Sequence, residues 1–403
     1  MEEKQNNRTN KSAKSDAHNQ TAFNRYRIIL FVVLAFLALG LTAVSLYVNA
    51  PSQTNESDLS QESEIAARSE EQSVPEIELS LNAESATEEP FLHGWVINSR
   101  GYTYLYGNLG GEQFNYSDQT FDRFLNAAVG ISAQVPDGTS VFCMPIPTTI
   151  GFLYSEIPDE IKKSDDFFNS SQKTFLDTVE DRLPKRVSFV PLYEMFCDAL
   201  QNDEELFFRT DMNWTADAAF LAYKAFCKAA GNPATSKDIY QKCSYPGFLG
   251  SFYKATGASS LESNPEVFSY YRNEDTDACE VTLYEGQNVF KSYRLTGNGF
   301  LDPCDAYLSY LGTEGAYFKI KSPCLTEQKL LIIGDESCAA MIPFLIQNYS
   351  EIHYVNPLRY RRDLLDIFTD NKFKDILIAS YLTNAVKGDF PVFLETIAGV
   401  KNG

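Results

Sequence analysis

Histidine is scarce in this chain: there are three in 403 residues, and only His93 and His353 lie beyond residue 50. An imidazole base working at neutral pH therefore has two candidates in that whole stretch. Basic side chains are also in deficit, with 34 Lys and Arg against 54 Asp and Glu and a formal net charge of −20. That balance argues against nucleic acid as a partner, because phosphates need a basic face. No Cys-x-x-Cys pair or other metal-ligand spacing occurs, no motif implies a cofactor, and there is no internal repeat. Charge is missing altogether from Ile28 to Val48, and aromatic side chains are missing from residues 50–90.

These two gaps divide the chain. Twenty-one uncharged residues at a helical rise of 1.5 Å span roughly 31 Å, the thickness of a bilayer core. Residues 1–27 carry six basic groups against three acids, with Arg25 and Arg27 abutting the apolar run and no further basic residue until Arg68. The positive-inside rule then keeps the tail 1–27 cytoplasmic, makes 28–48 a transmembrane helix, and places the rest outside the cell membrane as a single-pass protein. Val48-Asn49-Ala50 has the small-residue character of a signal cleavage site, but the apolar run is longer than a usual signal core and its tail is long. An uncleaved anchor is the reading adopted; either way the remainder is exported. Residues 51–90 carry eleven acids against Arg68, a net of −10. The segment 49–90 is expected to be a disordered, self-repelling spacer, since it cannot bury enough apolar surface to offset its chain entropy.

The exported part, 91–403, holds all eight cysteines. Cys143, Cys197 and Cys227 fall in apolar strand or helix patterns and read as buried small hydrophobes. Cys279, Cys304 and Cys324 lie in a loopier stretch and are the better disulfide candidates, with pairing unassigned. Short apolar runs read as buried parallel strands: Ser140–Pro145, Val187–Pro191, Lys329–Ile333, Ile352–Val355 and Ile376–Ala379. Helical patterns lie between them at Gln172–Leu183, at Ala216–Ala230 after a Thr215 cap, and at Ala339–Asn348. Alternating strands and helices predict an α/β fold with a parallel sheet covered on both faces. Residues 240–328, rich in Gly, Tyr and Ser, read as an excursion from that sheet. Ligands of such sheets sit at the carboxyl ends of the strands.

Two segments there could carry chemistry. Gly334-Asp335-Glu336-Ser337-Cys338 follows the strand ending at Ile333, in the strand–turn–helix setting where a nucleophilic Ser is served by free N–H groups. Arg209-Thr210-Asp211-Met212-Asn213-Trp214-Thr215 precedes a helix. Convergence of Asp211, Asp335, Glu336 and the Asn213 carbonyl would suit Ca²⁺ or Mg²⁺; without a cation the same charges would repel and raise a pKa. Arg359, after the strand Ile352–Val355, could meet a sugar carboxylate or pair with Asp335 or Glu336. His353, inside a strand, and His93, beside the spacer, read as structural. Ser170–Lys173 and Ser251–Lys254 satisfy Ser-x-x-Lys, a pattern common by chance. The many tyrosines of 240–320 could stack on sugar rings, although ordinary packing accounts for most of them. Trp214 would buttress the site turn and Trp95 the start of the domain.

The motif Asp211-Met212-Asn213-Trp214, set in FFRTDMNWTADAAFLAYKAF, resembles the Asp-His-His-Trp of the DHHW protein family. VFCMPIP, LPKRVSFVPLYEMF, GFLGSFYKATG, IIGDESCAAMIPFL and YVNPLRY follow in that family's order, so the resemblance spans most of residues 91–403. It implies an SGNH-like fold related to domains that O-acetylate alginate and other exopolysaccharides, in which a Ser after Gly-Asp is activated by an Asp-x-His pair. Here the pair becomes Asp211-x-Asn213, and aligning Pro343-Phe344-Leu345 puts Glu336 at the nucleophile position, with Ser337 where the family has an aromatic residue. An alcohol nucleophile needs a neighbour that accepts its proton, and an amide cannot. The expectation is a catalytically degenerate envelope protein that binds a glycan or a partner. It would be accessory to polysaccharide O-acetylation beside a membrane-bound acyltransferase. The alternatives are an active acetylesterase or acetyltransferase using Ser337, and an assembly protein that binds no sugar.

Overall fold

The computed structural model describes residues 93–98, 101–163, 167–387 and 389–399. The tail, the apolar segment 28–48 and the acidic stretch 49–90 lie outside those residues. Among the described residues no helix is long and apolar enough to cross a membrane.

Among the described residues there are thirteen strands. An antiparallel meander of β1 (His93–Asn98), β2 (Gly101–Tyr106) and β3 (Leu109–Glu112) opens the domain. The central sheet uses β4 (Ser140–Ile146), β5 (Val187–Phe189), β8 (Glu280–Glu285), β9 (Asn288–Phe290), β10 (Tyr317–Lys321), β11 (Lys329–Gly334), β12 (Glu351–Val355) and β13 (Asp375–Tyr381). A separate two-stranded ribbon pairs β6 (Gln241–Phe248) with β7 (Glu266–Arg272). The order across the central sheet is β5-β4-β13-β11-β12-β10-β8-β9.

The first five strands of that order run parallel, and their sequences show why. Every residue of β12 and β13 is buried, as is β11 beyond Lys329, so no polar alternation survives. Their side chains divide between two cores. Phe142, Leu330, Ile332 and Leu377 pack on one face. Val141, Leu331, Ile333 and Ile376 pack on the other. The helix Ala216–Ala230 covers the first face with Ala219, Phe220, Tyr223, Phe226 and Cys227, a helical stripe. Thr215 caps its start by accepting from the Ala218 N–H, and Gly231 ends it in the left-handed region at φ 68°. The helices Asp118–Gln134 and Phe390–Ile397 cover the second face. Each large side chain so buried contributes about 2 kcal/mol.

The sheet is mixed rather than parallel throughout, which corrects the expectation. β10, β8 and β9 add antiparallel strands beyond β12. They come from residues 240–328, so that segment is part of the sheet as well as an excursion from it. Val281 and Leu283 in β8, and Phe318 and Ile320 in β10, alternate buried with less buried neighbours, the period of a strand with one face packed. A second correction concerns Ala339–Asn348. In place of one helix there is a 3₁₀ turn at Glu336–Ala340 and a short helix at Ile342–Leu345. Pro343 has no N–H to bond back to Ala339, so a continuous helix would lose that bond. The cysteines are also corrected: all eight are free thiols, with Cys279 and Cys324 donating to the carbonyls of Asp275 and Gln347.

Candidate functional site

The end of β11 is built around a close approach. A Cβ on Gly334 would stand 2.0 Å from the Ala379 carbonyl oxygen of β13 and 2.6 Å from Cys338 Sγ, so only glycine fits. The next residue, Asp335, is fully buried and caps the 3₁₀ turn. Its Oδ1 accepts from the Ser337 N–H at 3.1 Å and from the Ser337 hydroxyl. Its Oδ2 accepts from the Tyr381 N–H at 2.8 Å and from Asn384 Nδ2 at 2.7 Å. Burial raises the Asp335 carboxyl above the usual carboxylate range, and the bonds from Ser337, Asn384 and Tyr381 work against that rise. The carboxylate is thus held by uncharged donors alone.

Ser337 is consequently an inward residue. It is fully buried, and its hydroxyl is spent on Asp335. Glu336, by contrast, is half-buried at the start of the turn.

The second segment is fixed with equal care. Asp211 is buried; its Oδ1 accepts from the Asn213 N–H at 2.7 Å and its Oδ2 from the Ser251 N–H at 2.6 Å. Ser251 returns a bond, its hydroxyl accepting from the Met212 N–H at 3.0 Å. Gly250 lets these chains meet, since a Cβ there would lie 2.1 Å from Asp211 Cβ. Glu266 closes the base of the loop, accepting from the N–H groups of Arg209 and Thr210 and from the Thr210 hydroxyl.

Trp214 ties the two segments together. It is fully buried, its indole N–H donates to the Ser337 carbonyl at 3.0 Å, and its backbone N–H donates to the Tyr381 hydroxyl at 2.7 Å. Tyr381 therefore touches both halves, through its N–H to Asp335 and its hydroxyl to Trp214. Tyr307 arrives from the 3₁₀ segment Pro303–Ser309; its hydroxyl is buried without a hydrogen-bond partner. Burial raises its pKa well above the ordinary tyrosine value, and Tyr310 and Asp211 add to the rise.

Several expectations are settled by this geometry. Arg359 is exposed and forms an ion pair with Glu314. The chain departs from β12 in a turn whose N–H groups bond to Asn356. The four proposed ligands build no metal cage: among the described residues no group of three or more His, Cys, Asp or Glu is placed to hold an ion. His353 is fully buried, with Nε2 2.8 Å from Glu351 and Nδ1 2.6 Å from the Tyr317 hydroxyl. In both Ser-x-x-Lys pairs the lysine is committed to acids, Lys173 to Asp177 and Lys254 to Asp305. Tyr381, Asn384 and Glu266 were missed by sequence reasoning, and Ser251 was named only within a Ser-x-x-Lys pattern. Only Ser251 had a signal, inside the GFLGSFYKATG segment; the others carry none.

The ordered motifs can now be set against known proteins. The DHHW protein family profile matches residues 72–355, more than half of the chain. The chain belongs to the DHHW family. A crystal structure of a DHHW family protein from Eubacterium siraeum DSM 15702 superposes with a TM-score of 0.63 at 20% identity, covering 75% of this chain and 98% of that one. Bacillus cereus PatB1, in a structure bearing a sulfonyl adduct, gives 0.59 at 17% identity over 75% of this chain and 98% of PatB1. A further PatB1 structure gives 0.59 at 18% identity, with coverage of 74% and 99%. At such identities these likenesses establish a shared fold and nothing finer. No curated protein matches the chain significantly. Within the DHHW frame this member has Asn213 in place of the second His of the motif, and Glu336 after Gly334-Asp335.

Proposed function

We propose that this DHHW protein is a cell-envelope protein, tethered by residues 28–48, whose SGNH-like site has lost its chemistry and binds a glycan or a partner. It would serve as an accessory to O-acetylation of an envelope polysaccharide, next to a membrane-bound acyltransferase. The observation that carries this reading is the state of Ser337. The serine of the site turn is buried, and its hydroxyl bonds to the Asp335 carboxylate rather than to a histidine. The position that would supply a base holds Asn213, whose amide cannot take a proton near neutral pH. His353 is no substitute, being bonded to Glu351 and Tyr317.

The rigidity of the site supports retention for binding. Asp211, Ser251, Trp214, Tyr381 and Asp335 form a continuous set of bonds that would hold a ligand-facing surface in place. The test is hydrolysis of a simple acetyl ester by the purified full-length chain, beside Ser337→Ala and the double variant Asn213→His, Glu336→Ser. The expected result is no turnover by the native chain and measurable turnover by the double variant. Turnover by the native chain that Ser337→Ala abolishes would make the protein an esterase and overturn the reading.

A further inference from the structure

We propose that the site at the carboxyl ends of β11 and β13 takes a sugar rich in hydrogen-bond donors and free of acid groups, a neutral hexose or a hexosamine, and rejects uronates. This deepens the binding reading above and rests on it.

The first observation is an orphaned acceptor. Asn213 is only 8% exposed, and its Oδ1 is buried with no hydrogen-bond partner. Buried carbonyl oxygens without a donor are rare and costly, so this one calls for a donor that the chain does not supply. The backbone around it cannot relax to provide one. Asp211 holds the Asn213 N–H, and Trp214 is pinned on the other side by Tyr381 and Ser337. The carboxamide itself turns about a broad, two-fold terminal torsion, so its oxygen can swing toward an arriving hydroxyl or ammonium group. The Tyr307 hydroxyl is a second buried group without a partner, within reach of Asp211.

The second observation is the sign of the charge. Asp211 and Asp335 are both buried, and the bonds to their carboxylates come from backbone N–H groups, a serine hydroxyl and an amide. Among the described residues neither forms an ion pair with a lysine or arginine. Arg359, the cation that follows β12, is engaged by Glu314 instead. A uronate would bring like charge into a low-dielectric setting. Hydroxyl and ammonium groups meet acceptors.

The test is titration calorimetry of the full-length chain in detergent with three probes of matched length: dextran oligosaccharide, chitosan oligosaccharide and oligogalacturonate. Binding of dextran or chitosan oligomer without oligogalacturonate is expected, with Asn213→Leu weakening it about tenfold, the scale of one lost hydrogen bond to a buried acceptor. If Asn213→Leu fails to fold, Asn213→Asp keeps the acceptor and adds charge; it should retain the dextran oligomer or tighten the chitosan oligomer. Dextran binding with only chitosan strengthened by Asn213→Asp marks the acid charge as the discriminator. Oligogalacturonate binding as tightly as the others overturns the ligand class and leaves the binding reading intact. Failure of all three probes overturns both.

Discussion

The two ends of the parallel strands treat a buried acid in opposite ways. At the start of β12, Glu351 is paired with Lys319 at 3.0 Å, Lys329 at 2.9 Å and His353 at 2.8 Å. Burial works to raise its pKa, but the bonds from His353, Lys329 and Lys319 overcome it and hold the carboxyl at about 2. At the end of β11, Asp335 is more deeply buried, has only uncharged donors, and is pushed the other way. A carboxylate compensated by cations is a structural tie, while one left with neutral donors has its ionised form opposed by its own burial. The difference separates the cation-paired start of the strands from the candidate site at their carboxyl ends.

The comparison can be broken at either end. Asp335→Ala is expected to have the largest effect, about 4 kcal/mol lost in denaturant unfolding, because four hydrogen bonds lose their acceptor in a fully buried turn. Glu351→Gln follows at about 3 kcal/mol, since two lysines lose their counter-charge. The pH profile sharpens the contrast. Glu351 has a folded pKa of about 2 against 4.5, so its contribution is complete above pH 4.5 and is lost as pH falls toward 2. His353, which burial lowers to about 4 from 6.5 against the pull of Glu351, contributes fully above pH 6.5 and loses that contribution down to pH 4. Asp335, with a raised pKa, has the reverse sign: its share falls as pH rises through its own titration. Acid unfolding followed by circular dichroism should therefore flatten in Glu351→Gln between pH 4.5 and 2, and a profile unchanged from native would refute the tie.

Smaller effects test how the candidate site is held. Trp214→Phe removes the indole bond to the Ser337 carbonyl and is expected to cost about 1 kcal/mol, read by thermal unfolding. Arg359→Ala should cost less than about 0.5 kcal/mol, as its ion pair with Glu314 is about half exposed on both sides. A large loss in Arg359→Ala would return that residue to the site.

How much of this was legible depends on the reach of each interaction. β4, β11, β12 and β13 were readable because strands buried on both faces give unbroken apolar runs such as LLII and ILIA. The helix Ala216–Ala230 announced itself by Thr215 at one end and Gly231 at the other. β8 and β10 were hidden, since EVTLYE and YFKIK alternate with polar residues and resemble their loop surroundings. Asp335 and Asp211 were legible as site candidates from their turns. Their partners were not: Asn384 and Tyr381 lie more than forty residues beyond Asp335, and Ser251 forty beyond Asp211. Contacts of that separation leave no local pattern. The Arg359 ion pair was hidden for the same reason, its partner Glu314 being forty-five residues upstream.

The central claim is that Ser337 is a buried structural hydroxyl and that the DHHW site of this chain has no working nucleophile. Intact-protein mass spectrometry after incubation with an arylsulfonyl fluoride tests it directly. The account predicts no sulfonyl adduct on Ser337 in the native chain, and one adduct at position 336 in the Asn213→His, Glu336→Ser variant. A stoichiometric adduct on Ser337 of the native chain would contradict it.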